Sequence, residues 1–322
     1  MTTVPIGPQV LLREVLPLYS IGSKPVCRLH HRGLNQTYLV TSGRDRYVLR
    51  VYTPGWRTRN EIEFELDVLE FLRDRGLPVC APLLTTRARR IVTVQAKDGR
   101  RYAALFPYAW GRPAEHTLSR EQARKLGFTV VAIHCALDEF RTRFRRPELN
   151  LQFLLDRPLR LVRSFYPDRR PETSYLEKQT EKLKEAIQNL KLPKKAPAFG
   201  VCIGDVHGGN AHFSKSGDPA LFDFDQCGYG WRAFEIAKFI HASRIRRVSK
   251  ASISEFQAGY QAVRCFDKAE LAAIPHFMSI AAIWQMGIHA SAVGSVLPRS
   301  WMNDRWLSER LRQLRDYEKE RS

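Results

Sequence analysis

The sequence contains no Cys-x-x-Cys pair; its six cysteines, Cys27, Cys80, Cys135, Cys202, Cys227 and Cys265, are scattered among mostly apolar neighbours. That spacing excludes a zinc ribbon or a disulfide-stapled scaffold and leaves reduced core thiols as the expectation. No apolar run approaches the length of a bilayer span and no basic-then-apolar leader pattern opens the chain, so a cytoplasmic protein without a membrane partner is expected. Internal repeats, heptads and low-complexity tracts are also missing, which removes solenoids and coiled coils. Acidic residues are scarce: 33 Asp and Glu stand against 52 Lys and Arg, a formal net charge of +19. Such a field favours anionic ligands, such as a nucleotide, an acidic peptide or a phosphorylated acceptor, and disfavours a polycationic acceptor. The basic runs at 87–90, 141–146, 157–170 and 244–247 read equally as solvated faces. No nucleic-acid module or stacking motif accompanies them, so a nucleic-acid partner is not expected.

What is present is a long chain with one chemically dense stretch. At 322 residues, 44% of them hydrophobic, it can bury a large core and suits two lobes better than one compact unit. Residues 202–210 read CIGDVHGGN, a polar turn spans 214–219, and the apolar run Ala220-Leu221-Phe222 ends in Asp223, with Asp225 two residues on. Carboxylates beside apolar strand residues are costly unless paired or metal-bound. Kinase-type phosphoryl transfer uses this layout: an Asp accepts the hydroxyl proton, an Asn five residues later holds one Mg²⁺, and an Asp on the next strand holds the metals. Asp205, Asn210 and Asp223 have that spacing.

The segment resembles the catalytic and metal-binding loops of the aminoglycoside phosphotransferase and choline kinase-like family, whose motif reads His-Gly-Asp-x-His-x-x-Asn followed by Ile-Asp-Phe/Trp. One departure is Ile203 in place of the family's first His; it keeps the packing and removes a side-chain hydrogen bond. The resemblance implies an ATP-dependent O-phosphotransferase with an α+β, protein-kinase-like bilobal fold. Residues 1–109 would form a small β-rich N-lobe that clamps the nucleotide phosphates, and 110–322 a larger, mostly helical C-lobe. Asp205 would act as base, His207 would orient the loop, and Asn210 and Asp223 would hold Mg²⁺, with Asp225 supporting the second metal or the loop.

Periodicity and the resemblance together place the remaining parts. Three short strands are predicted over 26–31, 37–41 and 47–52. The first turn, with Gly33 and Asn35, would offer backbone N–H groups to the phosphates. Arg50, a cation within an apolar strand, would hold the phosphates as a fork and needs a carboxylate partner. Glu65 on the following helix is preferred for that role, with Glu61 kept open. Phe106 and Tyr108 fall where the family's inter-lobe linker reads the adenine edge. Helices are predicted over 58–75, 120–137, 149–161, 174–190, 252–264, 268–292 and 301–320. His134 reads as a satisfied core histidine, and Glu235 as a longer version of the family's loop-anchoring Asp. Trp284, His289, Trp301 and Trp306 are either core residues or lining of an acceptor pocket. The acceptor is expected to be a small-molecule hydroxyl, as in homoserine- and choline-kinase-like enzymes. The alternatives are a Ser/Thr kinase acting on an acidic peptide or protein and, given Ile203, a non-catalytic nucleotide-binding pseudokinase.

Overall fold

The computed structural model describes residues 4–114 and 117–321. After α1 (Pro8–Glu14), three strands, β1 (Val26–Arg32), β2 (Gln36–Ser42) and β3 (Asp45–Val51), run as a meander. Helix α2 (Arg59–Arg73) starts at a reciprocal capping box between Thr58 and Glu61, which satisfies two orphan N–H groups at its first turn. Strands β4 (Val92–Ala96) and β5 (Gly99–Pro107) complete an antiparallel sheet of order β1-β2-β3-β5-β4.

Strand alternation sorts the two faces of this sheet. Leu49, Val51, Ala103 and Leu105 join a core with Leu11 and Val15 next to α1. Val48, Tyr52, Ala104 and Phe106 belong instead to the larger core that includes Ile62, Leu66 and Leu69 of α2. Arg50 shares this second face by its period-two position, and it pairs in register with Thr37 and Ala104.

The rest of the chain is mostly helical. A two-residue strand β6 (Arg112–Pro113) is followed by α3 (Arg120–Leu137), α4 (Arg157–Phe165) and α5 (Arg170–Asn189). Four short strands carry the candidate site: β7 (Phe199–Cys202), β8 (Ala211–Phe213), β9 (Pro219–Leu221) and β10 (Gly228–Trp231). β7 pairs with β10, and β8 lies between β6 and β9. Helices α6 (Arg232–Ile245), α7 (Lys250–Gln261), α8 (Lys268–Ala292) and α9 (Asp304–Arg321) complete an α+β architecture.

Three local features differ from the sequence reading. The helix expected over 149–161 is a single π-turn, Gln152–Asp156, that passes into α4 with Pro158 in its first turn, where a missing N–H is harmless. The last helix starts at Asp304, because the 3₁₀ turn Arg299–Trp301 comes first and the Asn303 carboxamide accepts the Trp306 N–H at 3.0 Å. By length and composition α8 could cross a bilayer, yet its apolar window is 67% buried; it is the central core helix, in contact with α4, α5, α6 and α9.

Helices α3 and α7 pack backbone to backbone through facing glycines. A Cβ on Gly127 would lie 2.0 Å from the Phe256 carbonyl oxygen, and one on Gly259 2.0 Å from that of Arg124. Gly127→Ala should therefore lower the unfolding free energy by about 1–3 kcal/mol through overpacking. Gly7→Ala, where nothing lies within 4 Å, should stay within about 0.5 kcal/mol of wild type. Urea melts check the pair, and coincident midpoints would mean that the two helices have room to part.

Candidate active site

The site is built on the loop that leaves β7. Gly204 has φ +86, and a Cβ there would lie 2.0 Å from the Gln226 carbonyl oxygen; the left-handed backbone and the close approach both require glycine. Glu235, buried in the first turn of α6, accepts the Gly204 N–H at 3.0 Å and the Ile203 N–H as well. Burial pushes the Glu235 carboxyl up to about 7 against the pull of these two amides. Ile203 is buried against the core, and the loop is anchored there through its backbone N–H. His134 is satisfied in the core, with Nδ1 2.9 Å from the Tyr260 hydroxyl and Nε2 3.5 Å from Glu235. His134, Cys202 and Glu235 bring ligand atoms within 4.8 Å of one another, but the glutamate oxygens are committed to the loop amides.

Asp205 is clamped on several sides. Lys238 Nζ lies 2.9 Å from one carboxylate oxygen, Gln226 Nε2 donates to the other at 3.1 Å, and His207 Nε2 is 3.7 Å away. Burial raises the Asp205 pKa, but the Lys238 ammonium and His207 outweigh it and hold the carboxyl well below the usual range. Asn210 donates from Nδ2 to the Asp205 carbonyl at 3.0 Å, which leaves its carboxamide oxygen as the uncommitted atom. His207 Nδ1 accepts the Gly209 N–H at 3.0 Å, so in the neutral ring Nε2 carries the proton and faces Asp205.

A second group forms below β3. Arg50 donates to Glu65 at 2.7 Å and to Asp223 at 3.0 Å. Glu61 is spent on the capping box of α2, so of the two glutamates only Glu65 reaches the arginine. Asp223 has φ +64, a conformation that a non-glycine residue holds at a cost of order 1–3 kcal/mol and that clusters at functional sites. Desolvation raises its pKa, and the nearby Asp225 and Asp205 charges add to that against the opposing Arg50. Asp225 is fully engaged: Trp56 Nε1 donates to it at 2.6 Å, Arg57 Nε lies 3.3 Å from its carboxylate, and Arg57 and Arg146 both donate to its carbonyl. Of its two expected roles it therefore fills the loop-supporting one.

Two cavities meet at this loop. One, about 510 Å³, is lined by Arg50, Glu65, Phe106, Tyr108, Asn210 and Asp223. The other, about 530 Å³, is lined by Asp205, His207, Lys238, Arg246, His289 and Trp301 among others. Gly33 lines the second cavity, not the first, and its N–H is bonded to the Asn35 carbonyl at 3.1 Å. The Asn35 carboxamide turns inward to accept the Thr53 N–H at 3.2 Å. In this conformation the Gly33 N–H and the Asn35 side-chain oxygen are committed within the sheet. His289 and Trp301 line the second cavity, whereas Trp284 and Trp306 are core, 5% and 8% exposed.

Lys238, Gln226, Arg57 and Arg146 were not foreseen. Only Lys238 carried a local signal, a cation within the apolar run Ile236-Ala237-Lys238-Phe239-Ile240, which demands a buried partner. The donor set also suits a divalent cation: Asn210 offers an oxygen, Asp223 a carboxylate under pressure from neighbouring carboxylates, and both line the first cavity. Hard divalent cations take such oxygen ligands.

A small sheet set against a helical body, with Asp205, Asn210 and Asp223 on the walls of two adjoining cavities, is the layout that phosphoryl transfer uses. Residues 26–274 match the phosphotransferase enzyme family, and the chain belongs to that family. An uncharacterised protein of Synechocystis sp. is 36% identical over 288 residues, covering 89% of this chain and 79% of its own length. A solved amicoumacin kinase in complex with AMP-PNP, Ca²⁺ and Ami superposes with a TM-score of 0.79 at 22% identity, covering 96% of this chain and 94% of that one. A microcompartment-associated aminopropanol kinase does so at 0.74 and 21% identity, covering 94% and 93%. At such identities the likeness is one of fold, and the fold is protein-kinase-like.

Removing the loop anchor should be measurable apart from activity. Glu235→Ala leaves the Ile203 and Gly204 amides unpaired in a buried site and should lose about 1–3 kcal/mol of stability for each. Glu235→Gln retains an acceptor oxygen and should lose clearly less in denaturant unfolding. Equal losses would mean that the two amide bonds contribute nothing.

Proposed function

We propose that this protein transfers the γ-phosphate of ATP to a hydroxyl group of a small molecule, with Mg²⁺ as the divalent ion. The observation that carries this reading is that the loop 205–210 forms a wall shared by two cavities, with Asn210 on one side and Asp205 on the other. A nucleotide held beside Arg50 and Asp223 would direct its terminal phosphate toward a hydroxyl seated against Asp205.

Residues 1–109 would clamp the phosphates, chiefly through Arg50, with Glu65 keeping the guanidinium in place. Phe106 and Tyr108 would flank the base. Asn210 and Asp223 would hold the metal, which when bound supplies positive charge to the phosphate oxygens. Asp205 would hydrogen-bond the acceptor hydroxyl and take its proton as the new bond forms. The Lys238 ammonium keeps this carboxylate ionised, and therefore able to accept the hydroxyl proton. Lys238 and Gln226 would fix the rotamer of Asp205, and His207 would brace the loop at Gly209.

A small acceptor fits better than a protein. β10 begins at Gly228, three positions after Asp225, which leaves no length for an activation segment. Against the pseudokinase reading, Asp205, Asn210 and Asp223 are all present, and the loop keeps its backbone anchor on Glu235 at Ile203.

Asp205→Ala should reduce transfer by about 10²–10⁴-fold and leave the metal-dependent thermal shift with ATP in place. Asp223→Ala should abolish that shift, which at a hundredfold excess over Kd corresponds to about 2.7 kcal/mol in the wild type. Wild-type turnover by Asp205→Ala would overturn the assignment of the base. A wild-type protein that shows no metal-dependent shift with ATP would overturn the whole reading.

A further inference from the structure

The cavity on the Asp205 side has a charge and shape that select among acceptors. Its polar lining consists of Asp205, His207, Gln226, Lys238, Arg246, His289 and Gln285, whose carboxamide oxygen is paired with His241. Asp205 is the sole carboxylate among the residues that line it, and Lys238 neutralises it at 2.9 Å. Arg246 has no carboxylate partner among the described residues; its Nη2 lies 3.5 Å from His207 Nε2. The same His207 nitrogen lies 3.7 Å from Asp205, so the guanidinium and the carboxylate both approach one ring atom and lie within reach of a single short ligand. Burial, with the Arg310 and Lys238 charges, pushes His289 down to about 4, so its ring is neutral and adds no charge. The cavity therefore carries a surplus cation and no spare anion.

An amino alcohol would bring an ammonium into this space without a carboxylate to receive it. Placing a charge in a partly enclosed site without a partner is strongly unfavourable. Leu34, Ile245, Ile288, Ala292, Leu297 and Trp301 form the apolar part of the same lining. His289 Nδ1 and Gln226 Oε1 are buried atoms with no hydrogen-bond partner among the described residues, and both residues belong to this lining. Unmet polar atoms of this kind call for a ligand or water.

We infer that the acceptor is a hydroxy compound bearing an oxyanion a few bonds from its hydroxyl and an apolar body beyond, the hydroxyl lying at Asp205, the oxyanion at Arg246 and the body against Trp301. This inference rests on the proposed transfer reaction for the word acceptor, but the binding it describes needs no nucleotide.

The test uses the full chain and a matched probe series that differs only in the ionic end: hydroxyoctanoate with the hydroxyl at the β-carbon, the corresponding octane diol, the corresponding amino-octanol, and the hydroxyoctyl phosphate. Binding is read by calorimetry and ligand-observed NMR, without ATP, for wild type, Arg246→Glu and Trp301→Ala. The carboxylate or the phosphate should bind roughly tenfold or more tighter than the diol, the scale of one hydrogen bond to a charged group. The amino-octanol should bind weaker than the diol. Arg246→Glu should abolish the preference for the anion, and Trp301→Ala should weaken all four probes together. Tighter binding of the amino compound, an anion preference untouched by Arg246→Glu, or no binding by any probe would overturn the inference. Anion binding in a protein that shows no metal-dependent ATP shift would keep the ligand class and remove the transfer reaction; the reverse result would keep the transfer reaction and remove the ligand class.

Discussion

The geometry of the site depends on Arg50 reaching two carboxylates at once, Glu65 on α2 and Asp223 after β9. The guanidinium fork suits such bridging because its donors are fixed in one plane. Three segments far apart in sequence, a sheet strand, the helix that covers it and the strand end below, are thereby set at fixed separations. Arg50 and Glu65 are buried, whereas the Asp223 side chain is 46% exposed; losing Arg50 or Glu65 would leave an unmatched buried charge, which is far more costly than losing an exposed partner. Phe106 supports the arrangement from beneath, its ring centroid 5.3 Å from the Arg50 guanidinium carbon.

The same principle extends across the wall between the cavities. Glu65, Asp205, Asp223 and Asp225 are met by Arg50, Lys238, Arg57 and Arg146. Charges in this centre are matched almost one to one, so the formal +19 of the chain resides mainly outside it. The large positive field that was apparent from composition is a property of the surface. Within the centre Glu65 and Asp223 share the one guanidinium of Arg50, and desolvation raises the pKa of both.

How much could be read from the sequence follows from how local each interaction is. Asp205 and Asn210 lie five residues apart on one loop, and Asp223 lies one hairpin on, so their convergence was legible as spacing. Glu65 was legible by its distance after Arg50 and its place in the family pattern, since helical periodicity puts Glu61 and Glu65 on one face; the capping box with Thr58 is what separates them. Lys238 was not, because its meeting with Asp205 depends on how α6 packs behind the loop, and no spacing rule links residues 33 apart. Arg57 and Arg146 reach Asp225 from distant points in the chain; in the sequence Arg146 looks like an ordinary member of the run 141–146, and Arg57 has no feature that singles it out. The inward turn of Asn35 was hidden for a different reason: a carboxamide in a hairpin serves a ligand or its own backbone equally well. Trp301 and Trp306 could not be separated from their neighbours either, since only the 3₁₀ turn before α9 exposes one and buries the other.

The grip of Trp56 and Arg57 on Asp225 has a mechanical meaning. The sheet is joined to the helical body covalently, through the chain leaving β5 toward β6, and non-covalently at this grip, at the Arg50–Asp223 pair and through the core that Tyr52 and Phe106 share with Leu126 and Val206. Attachment at several separated points resists rotation as well as translation. The hairpin tip at Gly33 and Leu34, already a wall of the Asp205 cavity, is carried on the same sheet as Arg50, so one docking geometry sets both the mouth of that cavity and the depth of the Arg50 cleft.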